Sequence, residues 1–122
     1  MKNKIYSYRD LIIWQKSKQL VILIYNITKN FPKEEVFGLT IQIKRCSVSI
    51  PSNIAEGQRR GSKKDFRKFL LIAFGSGAEL ETQLEIAKEL KFGIIENYSE
   101  IESILEEVMK MLNKLISNLG VV

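Results

Sequence analysis

The segment that decides the fold spans residues 62–92 and reads SKKDFRKFLLIAFGSGAELETQLEIAKELKF. Its core-type residues recur in alternating steps of four and three, the spacing of one face of a helix. They are Phe66, Leu70, Ala73, Gly77, Leu80, Leu84 and Ala87. Ser62 and Asp65 resemble a capping box with Asp in place of the usual Glu, and Gly93 follows the last turn. The spacing predicts one long helix, roughly 45 Å from end to end.

Three further segments share this amphipathic spacing. They span about residues 9–30, 34–57 and 98–119. Pro32 ends the first segment, and Gly120 follows the last. Apolar residues about 3.5 positions apart in adjacent helices are typical of near-parallel packing with a left-handed supercoil. The sequence therefore predicts an all-α fold in one domain, residues 1–122: an antiparallel, up-down-up-down, left-handed four-helix bundle.

Pro51 lies inside the second predicted helix, where it removes a backbone donor and crowds the preceding turn. Two structures are compatible with this position. Either the helix kinks at Pro51, or it stops and restarts with Ser49 as the new cap. The apolar spacing Ile43, Cys46, Ile50, Ile54 continues through the proline and favours the kink.

The composition excludes most catalytic chemistry. The chain has 122 residues, one cysteine and no histidine. Without histidine, the usual di-iron and zinc sites of helical proteins cannot form, and Cys46 lacks a base to activate it. We expect no enzyme activity, no metal and no cofactor, with Cys46 a small core residue in a reducing, cytoplasmic compartment. The apolar run at residues 20–25 is too short for a membrane span, which needs about 20 residues.

Charge is distributed unevenly along the chain, whose net charge is +5. Residues 1–74 carry 15 Lys and Arg against 5 Asp and Glu, whereas residues 75–122 carry 4 against 9. The densest basic run, RRGSKKDFRK at residues 59–68, surrounds the predicted start of the third helix. Cations oppose the helix dipole there, and a bound anion would offset that cost. The alternative is a solvated, charged turn that promotes solubility.

These cations form a candidate nucleic-acid-binding surface that favours phosphate contact over base stacking. Its residues are Lys44, Arg45, Arg59, Arg60, Lys63, Lys64, Arg67 and Lys68. Lys44 and Arg45 belong to it only if the second helix passes nearby.

Apolar residues also occur off the main core stripes and predict a homo-oligomer, because a lone bundle would expose them. The candidate interface residues are Leu11, Trp14, Val21, Tyr25, Ile41, Val48, Leu71 and Phe74. A monomer with a wide core is the alternative. The small residues of Gly75-Ser76-Gly77 lie within the helical pattern and predict a close approach by another helix.

Three stretches, in order, resemble the 23S rRNA intervening-sequence protein family. They are YRDLIIWQK at residues 8–16, SIPSNIAEG at residues 49–57, and residues 69–84, which include ELETQL. The resemblance implies a four-helix bundle that assembles as a homopentamer, and no family catalytic residues. It also implies a fold similar to the accessory variability determinant of diversity-generating retroelements, a basic pentamer that binds nucleic acid and a reverse transcriptase. Gly77 departs from the family, which often carries a larger apolar residue there.

The motif residues Ser52, Asn53, Glu56 and Gly57 are expected to set kink and loop geometry, with binding as the alternative role. The sequence thus predicts a cytoplasmic, non-enzymatic, oligomeric protein that binds nucleic acid, RNA rather than DNA. The alternative is an oligomeric scaffold or accessory subunit that recruits a protein partner and does not contact nucleic acid.

Overall fold

The computed structural model describes residues 7–120, which form four α-helices and three short 3₁₀ turns, with no strand among them. The helices are α1 (Ile12–Thr28), α2 (Leu39–Arg59), α3 (Lys63–Glu89) and α4 (Tyr98–Leu119). The 3₁₀ turns are Tyr8–Asp10, Lys33–Glu35 and Ile95–Asn97. None of the described helices is both long and apolar enough to span a membrane.

Each helix packs against two neighbours: α1 and α3 both contact α2 and α4. Short connections join consecutive helices, so neighbours run antiparallel and enclose one core. The side chains at its centre have no exposed surface: Leu20, Ile24, Ile43, Ile50, Ile54, Leu70, Leu80, Val108 and Leu112. The four-helix bundle predicted from the apolar spacing is confirmed, while its handedness stays a prediction.

Two helices begin later than the spacing predicted. Ser7 and Asp10 form a capping box, but they cap the 3₁₀ turn Tyr8–Asp10, and extended backbone at Leu11 separates this turn from α1. A second 3₁₀ turn, Lys33–Glu35, occupies the predicted start of the second helix, so α2 begins only at Leu39. The spacing of apolar residues did not reveal where α1 and α2 begin, because a 3₁₀ turn and an α-helix place their first apolar residues similarly.

The two other predicted helices need little correction. The third ends at Glu89 rather than residue 92, because Lys91 (φ 62°) and Gly93 (φ 75°) take left-handed backbone conformations. The fourth has the predicted bounds. α2 is continuous through the buried Pro51, so it does not stop and restart there. The kink angle stays a prediction.

Two glycines allow helices to approach closely. A Cβ atom on Gly57 would lie 2.7 Å from Cβ of Phe69, which brings α2 against α3. On the side of α3 that faces α4, Gly77 makes room for the side chain of Met109. The side chain of Met109 thus occupies the space that a larger residue at position 77 would fill. By contrast, Gly75 has open space around its Cβ position.

Alanine substitutions at Gly57 and Gly75 distinguish the effect of close packing on stability from the effect of helix propensity. We expect Gly57→Ala to destabilise the fold by about 1–3 kcal/mol, because the added methyl group overlaps Phe69 and the backbone of Phe66. Gly75→Ala, the matched control, should stabilise by up to about 1 kcal/mol, since alanine favours helix and meets nothing there. Urea unfolding of both variants at one protein concentration measures the difference. Equal effects would contradict the close approach of α2 and α3.

Candidate nucleic-acid interface

A basic groove of about 560 Å³ lies between the first turns of α3 and the last turn of α4. The reversal at residues 60–62 starts α3 at the end of the bundle where α4 finishes. This places cations from α3 beside the C-terminus of α4. The groove is lined by Lys63, Lys64, Arg67, Lys68, Leu71, Leu119 and Gly120. Four of the predicted binding residues therefore share one concave surface with an apolar floor.

The cations of the basic groove have no acidic partner among residues 7–120. The ion pairs of the described chain all involve other lysines and arginines. Arg67 is held in place differently, because its Nε donates a hydrogen bond to the carbonyl of Ile116, 3.3 Å away. That contact lies near the negative end of the α4 dipole, where a cation is favoured. The groove consequently keeps its positive charge available to an external anion.

Two other predicted binding residues, Arg59 and Arg60, are held by contacts with neighbouring side chains. The guanidinium of Arg60 forms an ion pair with Glu56 at 2.8 Å and lies over the ring of Phe69 at 5.0 Å. Its hydrogen bond with Glu56 raises the pKa of Arg60 above its ordinary value. Arg59 lies 5.5 Å above the ring of Tyr8. Both arginines extend the basic surface around this end of the bundle, but aromatic faces hold them in position.

Lys44 and Arg45 are not brought to the basic groove. Both residues lie on α2, 14 or 15 positions before Arg59. This places them roughly 21 Å from Arg59 along the helix axis. Lys44 lies 4.8 Å from the ring centre of Tyr25 on α1. The continuous path of α2 explains this placement, because the helix does not turn back toward the start of α3.

Sequence reasoning missed Arg9, which shares the basic end of the bundle. Its guanidinium lies 4.7 Å from the ring centre of Tyr8, on which Arg59 also packs. The capping box Ser7–Asp10 was the available signal, because it fixes Arg9 within a turn at the end of the bundle. Cations thus lie over two aromatic rings at this end of the bundle, Arg9 and Arg59 over Tyr8 and Arg60 and Lys68 over Phe69.

Three of the four motif residues contribute to structure. The amide of Asn53 donates to the carbonyl of Ser49 at 2.8 Å, and the Ser49 hydroxyl lies 2.8 Å from that of Ser76 on α3. Glu56 accepts the hydrogen bond of Arg60, and Gly57 permits the contact with α3. These interactions join α2 to α3 and to the loop between them. Ser52 is exposed and lines a groove between α1 and α2.

The candidate interface residues lie on several faces of the bundle. Trp14, Val21 and Val48 line the groove of about 380 Å³ between α1 and α2. Leu11 lines a separate groove between α1 and α4, while Leu71 belongs to the floor of the basic groove. Leu11, Trp14 and Phe74 also pack partly against the core. Tyr25, at 43% exposure, is among the most exposed, and Ile41 is half-buried.

Cys46 is a core residue, as its place in the apolar pattern predicted. Its Sγ donates to the carbonyl of Ser76 at 2.9 Å. Burial, with a smaller contribution from Glu79, raises the pKa of the Cys46 thiol to about 11. The thiol is therefore protonated at neutral pH and is a poor nucleophile. Within residues 7–120, no three His, Cys, Asp or Glu side chains are grouped to hold a metal ion.

The buried thiol predicts a loss of stability in alkali. A raised pKa means that the folded state holds the proton more tightly than the unfolded chain does. The buried, protonated thiol therefore adds at most about 2–3 kcal/mol to the free energy of unfolding. This stabilisation is complete below pH 9 and is lost as the pH rises to about 11. Cys46→Ser keeps a donor but does not titrate in this range, so urea unfolding at pH 8 and pH 10.5 should show a smaller loss for the variant. Equal losses in both proteins would contradict the assignment.

The fold and groove define a small four-helix bundle with a cationic surface at one end. The chain belongs to the family of 23S rRNA-intervening sequence proteins, which it matches over residues 9–114. It is also similar to a protein with unknown function from the S23 ribosomal protein family of Bacteroides thetaiotaomicron, solved at 1.70 Å resolution. The two are 29% identical with a TM-score of 0.78, covering 86% of this chain and 98% of the other. A comparison with curated proteins finds no match.

Proposed function

We propose that this protein binds nucleic acid through the basic groove, as a cytoplasmic homo-oligomer and without catalysing a reaction. One observation carries the proposal: four cations surround a concave surface, and no carboxylate of residues 7–120 pairs with them. Arg67 contacts the carbonyl of Ile116 and Lys68 lies over the ring of Phe69, but neither contact neutralises the positive charge. The arrangement of these cations suits an external polyanion.

Phosphate groups match the chemistry of the basic groove. Lys63 and Arg67 are one helical turn apart, as are Lys64 and Lys68, so two short rows of cations run along α3. The backbone N–H groups at the start of α3 add positive potential to the same place. Binding a phosphate backbone here releases condensed counterions, which makes the affinity depend steeply on salt. No aromatic ring lines the groove, so it does not read bases by stacking.

RNA is favoured over DNA as the ligand. The name of the family refers to 23S rRNA, and no feature of the described surface suggests reading of a DNA major groove. A shallow groove with lysine and arginine side chains fits recognition by shape and backbone, which is common for folded RNA.

Exposed apolar side chains support the oligomeric part of the proposal. Ile22 is 55% exposed, Tyr25 is 43% exposed and Val48 is 37% exposed. Side chains of this kind are commonly covered at subunit interfaces. The family resemblance favours a pentamer, which would present several basic grooves to one polyanion and raise the avidity.

A protein-interaction scaffold is the second candidate, and one observation favours it. Phe37 is 94% exposed next to Val36, which is 48% exposed, in the connection between α1 and α2. Ile94 and Ile95 are exposed in the connection between α3 and α4. Phe31 and Phe92 are in contact at 5.7 Å, so both connections lie at the end of the bundle opposite the basic groove. An apolar tip of this kind suits a protein partner.

Charge removal in the groove tests the nucleic-acid proposal. We expect the Lys63→Ala, Lys64→Ala, Arg67→Ala variant to bind RNA more weakly, with the slope of log affinity against log salt reduced by about one unit per lost contact. Filter binding or fluorescence anisotropy with a structured RNA and a DNA duplex of equal length, at several salt concentrations, measures both effects.

The matched control removes three cations at the opposite end: Lys29→Ala, Lys33→Ala and Lys91→Asn. Asparagine is used at position 91 because its φ of 62° lies in the left-handed region. This variant should keep the salt slope of the native protein. If the groove variant and the control weaken RNA binding equally, or neither does, the groove is not the binding site and the scaffold becomes the better proposal.

A further inference from the structure

The face formed by α1 and α2 carries an open apolar groove. Its walls include Trp14, Val21 and Ile22 from α1, and Val48 and Ala55 from α2. Ile22 is 55% exposed and Val48 is 37% exposed, although both lie in the middle of regular helices. Large apolar side chains in such positions favour a covering surface.

Two lysines flank this apolar groove and rest on aromatic rings. Nζ of Lys18 lies 5.3 Å from the ring centre of Trp14, and Nζ of Lys44 lies 4.8 Å from that of Tyr25. Neither lysine forms an ion pair with any residue from 7 to 120. A cation on an aromatic face keeps much of its surface open, so both ammonium groups remain available to a carboxylate from outside.

The face formed by α3 and α4 has the complementary chemistry. It is on the opposite side of the bundle, because the helices follow one another around the core in chain order. A groove of about 670 Å³ here has an apolar floor that includes Leu84 and Leu105. Its rim carries the carboxylates of Glu81, Glu85, Glu102 and Glu106. Lys88 and Lys110 pair with the last two, whereas the first two have no ion-pair partner among the described residues.

The charged residues of the two faces also lie at similar distances from one end of the bundle. Lys44 and Lys18 lie roughly 8 and 15 Å along their helices from the end of the bundle that carries the connections 29–38 and 90–97. The four glutamates lie roughly 6–12 Å from the same end. Two protomers placed side by side in parallel would therefore set the lysines of one against the glutamates of the other.

We propose that the α1/α2 face of one protomer docks on the acidic α3/α4 groove of a second copy of this chain. The apolar groove and its two lysines would meet the leucine floor and its glutamates. This inference rests on the oligomeric part of the proposed function and names the surfaces that form the contact. Because the faces are opposite, the contact is heterologous and repeats from one protomer to the next, closing into a ring if the rotation permits.

The proposed contact leaves the basic groove accessible. Lys63 lies roughly 39 Å along α3 from Glu89, whereas α2, the longer helix of the docking face, is about 31 Å long. The α2 helix of a neighbour, aligned at the acidic end, would end near Lys68 and leave Lys63, Lys64 and Arg67 beyond it. A ring built in this way would present one basic groove per protomer along one rim.

Charge reversal tests the contact. We expect Lys18→Glu with Lys44→Glu, and separately Glu81→Lys with Glu85→Lys, to reduce the solution mass toward the 14.1 kDa of one chain. Combining all four substitutions in one chain should restore the native mass, because the charges are complementary again. Multi-angle light scattering at equal micromolar concentrations measures the masses. Controls on the two remaining faces of the bundle, Arg45→Glu with Lys114→Glu and separately Glu79→Lys, should keep the native mass.

Mixing the two dissociated variants provides a sharper test. Each can then bind only the other, so alternating assemblies with even numbers of chains should form and a ring of five cannot. If the reversed variants keep the native mass and circular dichroism, the contact is wrong, although the oligomer stands. If the native protein is a 14.1 kDa monomer, the oligomer and the contact both fail.

An uncharged substitution keeps the proposal testable even if the charge-reversed chains fail to fold. Ile22→Gln replaces an exposed apolar side chain in the α1/α2 groove by a neutral polar one and should also lower the mass while leaving helical circular dichroism unchanged. An unchanged mass for this variant overturns the proposal even if a charge-reversed chain unfolds. RNA binding by the basic groove is measured separately, so its failure is distinguishable from the failure of this contact.

Discussion

The close approach of α2 and α3 is the constraint on which the rest of the structure depends. These two helices make the most extensive helix–helix contact in the bundle. Gly57 lets the α2 backbone reach the side chain of Phe69, and the hydroxyl groups of Ser49 and Ser76 meet across the interface at 2.8 Å. Because α2 passes unbroken through Pro51 into this contact, α3 starts beside the end of α4. The basic groove exists because of that juxtaposition.

Charge is separated along the bundle as well as along the chain. The lysines and arginines around the connection at residues 60–62 lie at one end, whereas Glu81, Glu85, Glu102 and Glu106 lie toward the other. One helix, α3, carries four of these cations near its start and two of these glutamates toward its end, since its 27 residues run the length of the bundle. A polyanion and an oppositely charged neighbour can therefore bind the same face without competing for the same side chains.

The motif that identifies the family is explained mainly by packing. Gly57 lets α2 pack against α3, Asn53 bonds to Ser49 within α2, and Glu56 bonds to Arg60 where α2 ends. They supply no cation themselves, but they position the connection from which the basic groove begins. This division agrees with the absence of any metal-ligating cluster from residues 7–120, and with a cysteine whose thiol is buried and protonated.

The sequence by itself determined the four helices, their core residues and the basic character of one end. Steps of four and three between apolar residues report directly which side chains are buried, and the run at residues 59–68 is basic in any fold. Only the tertiary structure decided which cations share a surface. The continuous helix α2 keeps Lys44 and Arg45 away from the basic groove, and Leu119 and Gly120 line that groove from the end of α4, which is distant in sequence. Periodicity cannot supply such information, because it describes each helix about its own axis, whereas a groove depends on which helices are neighbours and where each begins.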